Sequence, residues 1–294
     1  MPYGCRQAGY SKWPNRKRTI EMHDLRGRNA IVTGASAGIG VRIARALARE
    51  GMNLVLAARS VEALESVAVE IRGMGVRAIA VPTDVSDESQ LQRLVERAIA
   101  EFGSIDVLVN NAGIEAFRSF HEIDPQDIRR TIDVNLTATL LLTRYVLPHM
   151  VQAGRGHIVN MASIAGKHGP AYGATYGASK AGMIAFTQSL RSEYYRKGIS
   201  ASVMCPGFAS DGGIYEVIKH RAGRRAPRYV GSTTADAVAQ AVVKSIRRNV
   251  PEMIVNWPPL RPIFALCQII PRFGEWVVRR TTAHFLKRAA TSDK

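Results

Sequence analysis

Short, almost wholly apolar runs alternate along most of the chain with longer stretches of helical period. The runs at 29–33, 53–58, 77–81, 105–110, 157–161, 199–205 and 253–257 have the continuous hydrophobicity of strands buried on both faces. Between them, 38–50, 61–72, 87–102, 125–152, 176–197 and 234–248 predict helices, with Ser60, Ser86 and Thr233 at N-cap positions. Alternation this regular predicts an α/β, doubly wound parallel sheet of about seven strands. Any ligand crevice then lies at the carboxyl ends of the strands. Neither an internal repeat nor a linker divides the pattern, so 23–257 reads as one Rossmann-like domain. Residues 1–22, rich in Gly, Pro and basic side chains, read as a disordered tail, with Met22 as an alternative start. Residues 258–294 form an amphipathic extension after the last strand.

Composition narrows the class. A chain of 294 residues that is 46% hydrophobic can bury a large single core, which excludes a wholly disordered or fibrous protein. The cysteines, Cys5, Cys205 and Cys267, are widely spaced. They offer neither a disulfide framework nor a zinc cluster, so no metal is expected and a cytoplasmic, reducing setting fits best. No apolar run approaches the roughly 20 residues of a spanning helix. The net charge of +16 resembles that of a nucleic-acid binder, but its placement argues otherwise. Segments 1–22, 214–248 and 261–294 carry +4, +6 and +5, while 23–213 is nearly balanced. No stacking aromatics interleave the basic clusters, so no nucleic-acid partner is expected.

The first strand runs into Thr33-Gly34-Ala35-Ser36-Ala37-Gly38-Ile39-Gly40 and then a helix. Glycines there permit a tight turn and bring backbone N–H groups to a pyrophosphate at the helix N-terminus, although the spacing is not the usual GxGxxG. The second strand ends at Ala58-Arg59-Ser60, where enzymes using NAD place an acid on the ribose 2′-hydroxyl. No acid is present. Arg59 instead offers a guanidinium to a 2′-phosphate, which favours NADP(H) over NAD(H).

Further motifs follow in order: Asp84-Val85, Asn110-Asn111-Ala112-Gly113, Asn135, Ser163, Tyr176-x-x-x-Lys180 and Pro206-Gly207. With the glycine loop they make residues 25–257 resemble the classical short-chain dehydrogenase/reductase (SDR) family. The resemblance implies an oxidoreductase in which Gly34, Ser36, Gly38, Ile39, Gly40 and Arg59 hold the phosphates of the cofactor. It places Asp84 and Val85 at the adenine, Asn111, Ala112 and Gly113 along the cofactor, and Pro206 and Gly207 beside the nicotinamide.

Hydride transfer to a carbonyl builds charge on oxygen, which an adjacent acid must neutralise. Tyr176 can serve as that acid. Lys180, one turn later on the same helix face, is expected to lower the phenol pKa and to bind the nicotinamide ribose. Ser163 is expected to donate to the oxyanion, and Asn135 to hold a water that links Lys180 to solvent. Tyr215 and Lys219 repeat the Tyr-x-x-x-Lys spacing, with Ser202 as far before Tyr215 as Ser163 is before Tyr176. That match is assigned to chance because Ser202 lies inside a strand. His157, His168 and His220 read as solvated or strand-edge histidines, and Cys205 as a buried strand cysteine.

Relatives often carry a threonine five residues after the proline of Pro206-Gly207; here the position is Asp211, which puts a carboxamide contact in doubt. Residues 208–230 form a basic lid: a solvated face, an anion clamp or a membrane contact. The loop from 164 to 172, with Gly166, Gly169, Ala171 and Gly173 nearby, suggests a roomy apolar entrance. Steroid, retinoid, terpenoid and fatty-acyl carbonyls are all admissible substrates. A 3-oxoacyl-carrier-protein reductase and a non-catalytic NADP(H)-sensing regulator stand as alternatives. The extension at 258–294 either caps the pocket, packs on a second subunit or lies peripherally on a membrane. A homodimer through the 125–152 and 176–197 helices is expected.

Overall fold

The computed structural model describes residues 22–291, apart from 116, 212, 228 and 229. The tail 1–21, with Cys5, therefore lies outside the described residues. Strands β1 (Asn29–Thr33), β2 (Asn53–Ala58), β3 (Ala78–Pro82), β4 (Val107–Asn110), β5 (Gly156–Met161), β6 (Ile199–Pro206) and β7 (Glu252–Val255) form one sheet in the order β3-β2-β1-β4-β5-β6-β7. Every pairing is parallel.

Side chains alternate across the sheet as the two-residue period requires. Ala30, Val32, Leu54, Leu56, Val107 and Val109 face one core. There they meet α1 (Gly38–Arg49), α2 (Val61–Arg72) and α8 (Ala235–Arg247). Ile31, Val55, Ala57 and Leu108 face the other. That side is covered by α3 (Glu88–Phe102), α5 (Ala138–Ala153) and α6 (Ala174–Tyr194). The chain reverses its winding between β1 and β4, so the strand ends part there and open a crevice.

Local chemistry sets the helix ends one residue later than the sequence suggests at two places. Asp87, not Ser86, caps α3 by accepting from the Ser89 and Gln90 amides. Thr234, not Thr233, caps α8 through the Ala237 amide. Ser60 stands at the N-cap of α2, but its hydroxyl makes no capping bond.

The helix expected over 125–152 is not continuous. α4 (Pro125–Ile132) passes through a π-helical turn, Asp133–Thr137, before α5 begins. That turn carries Asn135, which is fully buried. A widened turn of this kind accommodates one extra residue and is a common way to aim a side chain out of helical register.

After β6, the segment read as a lid contains α7 (Ile214–Ala222). After β7, three helices follow: α9 (Arg261–Ile269), α10 (Pro271–Thr281) and α11 (Ala283–Thr291). Phe285, Leu286 and Ala289 of α11 bury against Tyr215 and Ile218 of α7. The extension therefore folds back over the lid. Among the described residues no helix is long and apolar enough to cross a membrane.

Candidate active site

The crevice is a cavity of about 1060 Å³ running from the end of β2 to the inner surface of α9–α11. Gly34, Ser36, Ile39, Arg59, Asp84, Val85, Asn111, Ala112, Gly113, Ser163, Tyr176, Lys180, Pro206 and Gly207 all line it. Gly38, Gly40 and Asn135 do not reach its wall and act from behind it.

The loop after β1 is tied to the end of β4. Thr33 Oγ1 accepts from the Asn111 and Ala112 amides, both at 3.0 Å, while Asn111 Nδ2 donates to the Thr33 carbonyl at 2.9 Å. A side chain at Gly40 is excluded, since its Cβ would stand 2.0 Å from the Gly34 carbonyl oxygen. The N-cap of α1, Ala37, has no side chain to satisfy the first-turn N–H groups. They face a cradle that only an approaching anion, such as a pyrophosphate, or water would fill.

Asp84 accepts from the amide and hydroxyl of Ser86, at 2.9 and 2.7 Å. These bonds hold its carboxyl below the ordinary range, with help from Arg59 and Arg130. Arg130, on α4, also lines the cavity. The sequence predicts its helix but not which of Arg129 and Arg130 turns inward. The far end of the crevice thus carries two guanidinium groups beside one carboxylate.

At the centre, Ser163 closes β5 and accepts from the Ala165 amide at 3.1 Å. Burial pushes the Tyr176 phenol up to about 12, and the nearby Ser163 hydroxyl opposes that rise. The expected lowering by Lys180 is not what dominates. Lys180 Nζ lies 5.7 Å from the ring centroid and donates instead to the Met161 carbonyl, so its charge is aimed past the phenol oxygen. Burial pushes the ammonium itself down to about 8.

Asn135 clamps the neighbouring loop. Its Oδ1 accepts from the Ile114 amide at 2.8 Å, while Nδ2 donates to the Ile114 carbonyl at 2.9 Å and to Ser179 Oγ at 3.1 Å. Both ends of the amide are therefore engaged with protein.

The second Tyr-x-x-x-Lys match resolves differently. Tyr215 does line the cavity, but its hydroxyl accepts from the Ala226 amide at 2.9 Å. Lys219 pairs with Glu216, and Ser202 is buried in β6 against the Val250 carbonyl. Burial pushes the Cys205 thiol up to about 12, as suits a buried strand cysteine. Asp211 accepts from the Ala235 amide at 2.6 Å and is absent from the cavity wall. His168, in contrast, belongs to that wall rather than to solvent.

Gly166 does not make the entrance roomy. A Cβ on Gly166 would fall 2.6 Å from the Lys180 carbonyl carbon, so that glycine seats the loop tightly on α6. The space comes instead from apolar side chains: Phe117 and Ile114 after β4 and Phe208 and Ile218 of the lid, which the sequence did not single out, and Phe264, Val277, Val278 and Leu286 of the extension, for which pocket capping was one expectation.

An open parallel sheet with a phosphate cradle after its first strand, and a serine, tyrosine and lysine meeting at the switch point, defines a nucleotide-dependent oxidoreductase of the doubly wound class. Residues 28–217 match the short chain dehydrogenase family model, and the chain belongs to that family. It is 43% identical to ketoacyl reductase HetN of Nostoc sp. over 263 residues, which cover 88% of this chain and 90% of that protein. Among solved structures it is similar to a short-chain dehydrogenase/reductase from Burkholderia phymatum in complex with NAD, with TM-score 0.75 and 28% identity. That match covers 85% of this chain and 95% of the other. It is likewise similar to a tryptophan variant of actinorhodin polyketide ketoreductase with NADPH, at TM-score 0.70 and 31% identity, covering 78% and 95% of the two chains.

Proposed function

We propose that the protein is an NADP(H)-dependent reductase of large apolar carbonyl compounds, with 3-oxoacyl chains the substrate class best supported. The observation that carries the reading is the continuity of the cavity. Arg59 and Arg130 stand at one end, an apolar chamber under α9–α11 at the other, and Ser163, Tyr176 and Lys180 where the two meet. The names of the relatives, a ketoacyl reductase and a polyketide ketoreductase, favour the oxoacyl class over steroids or retinoids.

NADP(H), when bound, supplies or accepts the hydride. The first turn of α1 would hold its pyrophosphate, Arg59 and Arg130 its 2′-phosphate, Asp84 and Val85 its adenine, and Lys180 its nicotinamide ribose. Pro206 and Gly207 would hold the nicotinamide end, with Asn111, Ala112 and Gly113 along the cofactor. Tyr176 delivers the proton to the carbonyl oxygen. A phenol held protonated throughout the physiological range suits that direction better than the reverse. Ser163, with its oxygen fixed by the Ala165 amide, turns its proton toward the oxyanion. Asn135 fixes the loop at Ile114 and, through its position behind Gly113, supports Lys180 and any water that relays protons to it.

The test is consumption of NADPH and NADH with 3-oxoacyl thioesters, cyclic ketones and aldehydes of matched hydrophobicity. Faster turnover of 3-oxoacyl thioesters with NADPH is expected. A preference for NADH, or turnover of cyclic ketones alone, overturns the respective half of the proposal.

The assembly follows from the same surfaces. We infer a homodimer through α5 and α6; the outer face of α5 exposes Leu140 and Val151. A tetramer in sedimentation analysis overturns it.

A further inference from the structure

The inner surface of α9–α11 roofs the cavity, but their outer surface is unlike an ordinary solvated face. Around α9, Ile263, Leu266 and Ile269 recur at three-residue spacing, within about 120° of helical arc. All three are exposed, Ile269 to 76%. On α10, Trp276 is 55% exposed and stacks on Phe273 at 5.9 Å. Arg272, Arg279 and Arg280 stand four residues before it and three and four after it, which places them around the indole on the same helix face. Trp257, just ahead of α9, is 77% exposed. Over 261–291 six basic residues face a single acid, Glu275.

We propose that this face docks on an anionic lipid surface, with α9 and α10 lying in the interface. Indole and isoleucine side chains enter the headgroup boundary, and the arginines meet lipid phosphates. Charge separates this occupant from a second copy of the chain, because two such faces would bring like charges together around an apolar centre. An acidic protein partner would engage the arginines but leaves the exposed Ile269, Ile270 and Leu266 without a role. Ile263 both lines the cavity and reaches the outer surface, so the roof has an apolar edge that opens toward the lipid. An apolar ketone therefore enters the cavity from the bilayer, a step that rests on the reductase reading given above.

The experiment is flotation of the full chain with vesicles of phosphatidylcholine alone or with phosphatidylglycerol added, at low and high salt. Binding to the anionic vesicles at low salt, release at high salt, and no binding to the neutral ones are expected. Arg272→Gln with Arg279→Gln lowers the partition coefficient about 30-fold, and Ile269→Ser with Trp276→Ser abolishes flotation. None of these four residues lines the cavity, so turnover of a water-soluble ketone stays unchanged while KM for a vesicle-borne ketone rises. Failure of the full chain to float overturns the proposal. So does a Ser double variant that floats like the parent or that falls to a smaller oligomer, and so does an acidic carrier protein binding the face in place of vesicles. Flotation does not depend on turnover, so loss of activity on every ketone with binding intact overturns the reductase reading alone.

Discussion

Lys180 donates from its buried Nζ to the main-chain carbonyl of Met161, 2.8 Å away at the end of β5. The bond holds the ammonium beneath the ring of Tyr176 and against Gly113, where a Cβ would come within 3.4 Å of it. Lys180→Ala is therefore expected to lower both turnover and affinity for NADPH. In the parent, affinity should fall as pH rises through about 8, where the buried ammonium loses its proton. The folded value lies below the ordinary 10.5, so the unfolded chain holds the extra proton between the two. The destabilisation from burying this charge is complete below about pH 8 and fades as pH rises to 10.5. Fluorescence titration of NADPH across this range checks the binding half; a flat profile removes Lys180 from the cofactor site.

Tyr176→Phe removes the proton donor and little else, because the ring still packs on Phe117, whose centroid is 5.7 Å away. The expected loss in kcat is about 10²- to 10⁴-fold, with NADPH affinity changed about twofold at most. Tyr215→Phe should retain most activity, since the lost hydroxyl only accepts from Ala226. Steady-state kinetics on the two variants decide the assignment, and a reversed ranking moves the acid to Tyr215.

Much of this was legible in the sequence because strands buried on both faces leave continuous apolar runs, and the motif residues follow directly where those runs stop. Asn29–Thr33 and Asn53–Ala58 have the predicted bounds for that reason. The π turn was not legible: Asn135 is pulled out of register by bonds to Ile114 and Ser179, which are remote in sequence. Ser86 and Asp87 can each cap a helix, and only the approach of Ser89 and Gln90 selects Asp87. The apolar positions in 258–294 were visible, but which of them roof the cavity depends on the docking of α11 against α7. The pKa of Tyr176 escaped because spacing reports that Lys180 is near, not where its Nζ is aimed.

Arg59 bears on cofactor choice. Replacing it with Ala should weaken NADPH binding by about 1.5–3 kcal/mol, the usual cost of removing a charged hydrogen-bond partner, and leave NADH nearly unchanged. Arg130→Ala should act in the same direction, since Arg130 shares the cavity wall with Arg59 and acts on the same carboxylate, Asp84. Calorimetric titration with both nucleotides separates the cases: equal losses for NADPH and NADH remove the 2′-phosphate role.

His157 ties acid stability to the core of the sheet. Its Nε2 lies 2.8 Å from Ser202 Oγ, and that hydroxyl gives its one proton to the Val250 carbonyl at 2.6 Å. The imidazole must therefore be the donor, neutral and protonated on Nε2. Burial, with a smaller push from the Arg191 guanidinium, drives its pKa down to about 3. Because the folded value lies below the ordinary 6.5, the unfolded chain binds the proton first. The stability linked to this group is complete above pH 6.5 and is lost as pH falls toward 3. Between 6.5 and about 4.5 few carboxylates titrate, so the slope there should reach at most about 1.4 kcal/mol per pH unit from His157. His157→Gln keeps a donor for Ser202 but cannot take up a proton, and thermal melts of this variant should lose most of that slope. An unchanged slope in the variant assigns the acid sensitivity to another group.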